Sequence, residues 1–137
     1  LFVSSYKHLG TFFAVEGGLG SEVAARAASI RASGAALAPV LNRGSLSVKS
    51  KIYFVNSHIL ASGLFQCGAW LHLPHIQFKT IHYAVISLYR SAVGNTVGDK
   101  VLNGFLTEGD LIFQCNVVSL YILLRVARLS LFYRMVC

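Results

Sequence analysis

The chain has 137 residues, with 12 Lys and Arg against 5 Asp and Glu, a net charge of +7 and a pI near 9.7. Hydrophobic residues make up 55% of it and charged residues only 12%, against roughly 25% charged in an average soluble domain, so the composition points to a membrane or to a partner that covers apolar surface. The length allows one domain or a piece of one, and three cysteines without close spacing (Cys67, Cys115, Cys137) exclude a disulfide framework and fit a reducing compartment.

In chain order, residues 2–16 alternate weakly and are rich in Val, Phe and Thr. Gly10 divides them and Glu16-Gly17-Gly18-Leu19-Gly20 closes them, which predicts two short strands or a β-hairpin. A first helix follows, with Ser21 as its expected N-cap and Glu22 in the first turn. Val23, Ala27, Ile30, Gly34 and Leu37 share one face, small enough for another helix to approach closely, and Glu22 and Arg26 form an i,i+4 pair. Pro39 is expected to end this helix or follow its end.

After the Asn42-Arg43-Gly44-Ser45 turn, Ser45 or Ser47 caps a second helix with Val48, Ile52, Val55 and Ile59 on one side. Lys49 lies away from that side, Lys51 flanks it, and Ser62-Gly63 weakens the helix. Pro74 suits the first turn of a third helix. Its apolar stripe is Phe78, Ile81, Val85, Leu88 and Tyr89, its other face carries Lys79, Tyr83 and Arg90, and Gly94 is the expected stop. Asp99 is expected to cap a short helix reaching Phe105, and Asp110 the last one. There Ile122, Val126, Leu129, Tyr133 and Val136 repeat at helical spacing, beside a second face of Tyr121, Arg125, Arg128 and Phe132.

The predicted fold is mainly α: a short N-terminal β-hairpin (1–20), a helical region (21–94) and a C-terminal helical extension (95–137), with about four to five helices in a bundle. The chain begins at Leu1 rather than Met, as a fragment or a processed product would, and its start lacks the cationic-then-apolar pattern of a secretory signal. The apolar runs 52–65 and 111–124 fall short of the roughly 18 residues of a transmembrane helix. Asn56 and His58 interrupt the first and Gln114 and Asn116 the second, so both are expected to be buried helices.

Charge placement says more than total charge. The acids are Glu16, Glu22, Asp99, Glu108 and Asp110, and none lies from Val23 to Gly98. That span carries Arg26, Arg31, Arg43, Lys49, Lys51, Lys79 and Arg90. A zone of one sign repels itself and calls for an anionic partner, either nucleic acid or an anionic membrane.

Catalytic and metal patterns are weak by comparison. Cys67, His72, His75 and His82 are the donor types zinc accepts, but their spacing is C-x₄-H-x₂-H-x₆-H rather than paired ligands. Cys–His catalysis needs a third group to orient the base, and the central span has no carboxylate for it. Two-metal chemistry needs close carboxylates, whereas Glu108 and Asp110 sit at i and i+2 and point apart on a helix. Gly17-Gly18-Leu19-Gly20 lacks the full dinucleotide fingerprint, and there is no P-loop.

Tyr6-Lys7-His8-Leu9-Gly10 resembles the "K-Y/H-L-G" strand that follows the palm motifs in reverse transcriptases of the non-LTR retrotransposon type. The helix with Glu22 and Arg26 is similar to the next element of that family. Lys51, Phe54 or Val55, Ser57, Ile59, Leu64, Phe65 and Trp70 resemble the helix after it. Leu88-Tyr89-Arg90 with Gly94, and the Arg-Leu-rich 123–136, resemble later segments. The resemblance runs over most of the chain and is most specific for residues 6–70. It implies that 1–20 is a primer grip, in which Tyr6, Lys7 and Gly10 hold the end of the growing strand, and that 21–94 belongs to a thumb lying on the primer–template duplex. Lys49, Lys51, Lys79 and Arg90 are then the candidate phosphate contacts.

The same resemblance puts the catalytic aspartates, and the Mg²⁺ they hold, in a palm upstream of Tyr6. The expectation is therefore a non-catalytic, nucleic-acid-contacting fragment of an RNA-directed DNA polymerase, or an inactive relic of one. It would have no cofactor of its own, and its partners would be the duplex and the missing palm and fingers. A thumb without its palm exposes apolar surface, in keeping with the low charged fraction. The location would be nuclear for a retrotransposon protein. The rival expectation is a small basic hydrophobic subunit packed into a membrane-bound complex, in an organelle membrane, with the membrane or other subunits as partners.

Overall fold

The computed structural model describes residues 18–70, 72–94 and 106–137, and before them the backbone alone of 5–8 and 11–14. The backbone segments Ser5–His8 (β1) and Thr11–Ala14 (β2) pair antiparallel, Ser5 opposite Ala14. The expected helix from Asp99 to Phe105 lies outside the described residues.

The rest is helical, as expected. Helix α1, Gly20–Leu41, begins one residue before its expected cap: Leu19 holds the N-cap position without a side-chain hydrogen bond, so Ser21 does not cap it. Pro39 does not end it either. The chain stays helical to Leu41, and Asn42 closes it by donating to the carbonyls of Ala38 and Val40. A proline in the last turn costs one N–H donor, and tertiary packing outweighs that here: Leu41 is fully buried.

Helix α2, Val48–Phe54, is capped by Ser47, whose Oγ accepts from the Ser50 amide at 3.2 Å. It runs without a break into a π-helical turn, Val55–Leu60, and a final α-helical turn, Ala61–Gly63 (α3). The wider turn re-phases the buried side. Ile52, Val55 and Ile59 are buried as the spacing predicts, and Leu60 joins the core within the wider turn; Val48, the first residue of α2, is exposed. Within the turn Ser57 donates to the Tyr53 carbonyl at 2.8 Å, a back-bond that often bends helices.

Helix α4, His75–Val93, starts after Pro74, which stands at the cap rather than inside the first turn. It ends at Gly94, whose φ of 78° is the left-handed conformation that glycine adopts freely. Its stripe of Ile81, Val85, Leu88 and Tyr89 packs on Val23, Ala27 and Ile30 of α1 in one buried cluster. Two glycines let the helices close: a Cβ on Gly34 would collide with Leu88, and one on Gly63 with Ile30.

The last helix of the sequence reading is two helices. Helix α5, Glu108–Cys115, is capped by Thr107, with Asp110 in its first turn rather than at its cap. Asn116, at φ 50°, stops it. Helix α6, Leu120–Val136, restarts on Ser119, and the pair is bent by 60°. Leu120 and Leu124 are buried and Ala127 is partly so, along the side that meets a 3₁₀ turn at Cys67–Ala69. The predicted stripe Ile122, Val126, Leu129, Tyr133 and Val136 faces outward, each residue roughly half exposed or more. Both sides of α6 are apolar, so the sequence period alone does not say which one packs.

Candidate nucleic-acid interface

The candidate contacts divide into three groups. Tyr6 and Lys7 fall on β1, where only the backbone is described, and Gly10 lies outside the described residues. Lys49 on α2 and Lys79 on α4 are exposed, with no ion pair among the described residues. Lys51 is half-buried and Arg90 is tied down: its Nη1 donates to the Leu106 carbonyl at 2.9 Å. Arg90 shares a helical stripe with Lys79 and Tyr83, but its guanidinium holds the segment entering α5 to α4. That bond across 16 residues gives Arg90 a structural role that the spacing of Lys79 and Arg90 did not reveal.

Two cations outside the candidate set are exposed. Arg31 projects from α1 and Arg43 from the turn before α2, again with no ion pair among the described residues. The sequence signal for them was the acid-free span itself. None of the described acids pairs with these four cations, and each has its own partner on another residue. Glu22 is 1% exposed and bonds the Arg26 Nε at 2.8 Å. Glu108 meets the His82 Nε2 at 2.9 Å, linking α5 to α4. Asp110 accepts from the Thr107 hydroxyl at 2.6 Å. Arg31, Arg43, Lys49 and Lys79 are thus left as solvated, uncompensated charge.

The reactive side chains do not assemble. No group of three His, Cys, Asp or Glu among the described residues converges to hold a metal ion. Cys67, His72, His75 and His82 are not such a group: Cys67 is buried under α6, and His82 faces Glu108. Burial pushes the thiols of Cys67 and Cys115 up, so both are protonated at neutral pH. Tyr89 donates to Asn56 Oδ1 at 2.8 Å, fastening the π turn to α4, and burial, with Cys115 beside it, pushes its pKa up to about 12.

No family model, curated protein or solved structure matches the chain. Among the described residues no single helix is long and apolar enough to cross a membrane, while α5 and α6 together pass that test only across their 60° bend. The run 111–124 is therefore broken between Cys115 and Leu120, and 52–65 is helical only to Gly63.

Proposed function

We propose that the chain is the primer-grip and thumb portion of a reverse transcriptase of the non-LTR type, and that it contacts a primer–template duplex through phosphates rather than performing the chemistry. The observation that carries this is the exposed set Arg31, Arg43, Lys49 and Lys79 in a span without acids, with every described acid engaged elsewhere. Phosphate contacts position a protein on a duplex without reading its sequence, and cations on helices suit that task. In this reading 21–94 lies on the duplex and 95–137 extends it. The outward apolar side of α6 is the surface a palm would cover.

The direct test is fluorescence anisotropy of a DNA or RNA–DNA duplex against salt. Binding is expected to weaken steeply and linearly on a log–log scale, by a slope of about 0.9 for each phosphate neutralised on B-DNA. An affinity indifferent to salt overturns the reading.

The grip is tested in the enzyme that includes a palm. Lys7 is expected to meet a phosphate, Tyr6 a sugar or base, and Gly10 to allow the strand close. Tyr6→Ala and Gly10→Val should reduce primer extension far more than template binding. Equal loss of both would reassign these residues to packing.

One observation favours the second reading, a structural subunit of a membrane-bound complex. Tyr121, Ile122, Val126, Leu129, Phe132, Tyr133, Met135 and Val136 are all exposed on α6, and clustered exposed apolar residues mark protein or membrane contact sites. A requirement for detergent with no effect of nucleic acid on solubility would favour it.

A further inference from the structure

A cavity of about 420 Å³ opens where the 72–75 segment and the first turns of α4 meet the start of α6. His72, His75, Phe78, Tyr121, Leu124 and Arg128 line it. We propose that this cavity takes one nucleotide unit, its phosphate on Arg128 and the two histidines and its base against the Phe78 and Tyr121 rings. The ligand class rests on the nucleic-acid reading above, but the residues are different ones.

Four observations converge. The volume falls within the roughly 300–1,000 Å³ of ligand pockets. Arg128 is fixed in place: its Nε donates to the Trp70 carbonyl at 2.8 Å. That bond uses the Nε edge of the guanidinium and leaves the Nη groups, a planar fork matched to phosphate oxygens. No carboxylate lines the cavity. Glu108, on the neighbouring α5, is committed to His82.

His72 comes from the segment before α4 and His75 is the first residue of α4, whereas Arg128 lies on α6. The start of α4 adds positive potential, since its first turn has no acid and Pro74 supplies no capping side chain. For the base, Phe78 is half-buried and held by stacking on His82, ring centroids 5.5 Å apart and planes 18° apart. Tyr121 is 58% exposed. Arg125 sits over the ring, 5.5 Å from its centroid, with Nη1 donating to the phenol at 3.4 Å. Flat faces with a cation alongside accept any base, because every base has a π-face. The same donors make a poor metal site, as no third ligand joins the two histidines.

The experiment titrates the 137-residue chain with adenosine 5′-monophosphate, adenosine and inorganic phosphate. The readouts are the ring-proton shifts of the histidines and the fluorescence of Trp70, the single tryptophan, whose carbonyl holds Arg128. The monophosphate is expected to bind at least about tenfold tighter than either half alone, since both the phosphate and the base contribute. Tyr121→Ala and His75→Ala should each weaken it by about tenfold. Both residues are exposed, and circular dichroism checks that the variants fold. A monophosphate no tighter than inorganic phosphate, or an affinity unmoved by both substitutions, overturns the proposal.

A 5′-phosphorylated tetranucleotide separates the two sources. Tighter binding than the monophosphate assigns a strand end and weaker binding a free nucleotide, and either supports a nucleotide unit. Duplex anisotropy run in parallel keeps the two readings apart. Duplex binding without monophosphate binding sinks the pocket alone. Monophosphate binding that responds to the substitutions, without duplex binding, supports the pocket and counts against the thumb.

Discussion

Replacing Arg31, Arg43, Lys49 and Lys79 together by Ala is expected to remove about 3.6 from the slope of log affinity against log salt on a DNA duplex, at about 0.9 per phosphate contact. Between 50 and 200 mM salt, the unsubstituted chain should then lose about 150-fold more affinity than the variant. All four side chains are exposed, and none has an ion pair among the described residues. Three of them sit within helices, where alanine is the better helix former. The variant should therefore fold, with each change within about 0.5 kcal/mol of neutral. A slope that stays put in a folded variant means these cations do not touch the backbone.

Arg90→Ala is the informative contrast. Its guanidinium serves the Leu106 carbonyl, so any loss of binding it causes should follow loss of stability, not a changed slope.

Gly68→Val is expected to destabilise the chain by about 1–3 kcal/mol, the usual cost of forcing atoms into a filled space. A Cβ at Gly68 would lie 2.7 Å from the Ala127 carbonyl oxygen and 3.1 Å from its carbon. Those are backbone atoms of α6, so no side-chain rotation relieves the clash and the helix itself must move. The movement reaches the cavity, because Tyr121 and Arg128 ride on the same helix and Arg128 is anchored to Trp70, two residues after Gly68. Urea denaturation reads the stability loss as a lower midpoint at unchanged slope. A variant with an unchanged midpoint would mean that α6 does not pack closely on the 67–69 turn.

Gly44→Ala is the control. A Cβ there meets nothing within 4 Å, and the midpoint should hardly move.

Local rules made much of this chain legible from sequence alone. The stripe Ile81, Val85, Leu88 and Tyr89 is buried because a 3.6-residue period selects one side of α4, and Gly94 stops that helix because only glycine enters the left-handed region freely. The Glu22–Arg26 pair and the absence of acids from 23 to 98 follow equally from spacing and composition.

Tertiary structure decided what those rules leave degenerate. Pro39 stays inside α1 because Leu41 gains burial beyond it. The π turn at Val55–Leu60 is tied to α4 through Asn56, which accepts from Tyr89, a residue 33 positions away. Asn116 breaks the last apolar run in two, and α6 then packs on its Leu120–Leu124 side because Gly68 admits the backbone of Ala127 there. An apolar stripe on each side of a helix gives the period no preference, so close approach makes the choice. In sequence Arg90 is a candidate phosphate contact and Arg128 one of the cations on the last helix. Each also reaches a backbone carbonyl that only the fold brings within hydrogen-bonding range, because pairing across 16 or 58 residues depends on how helices cross and not on how residues are spaced.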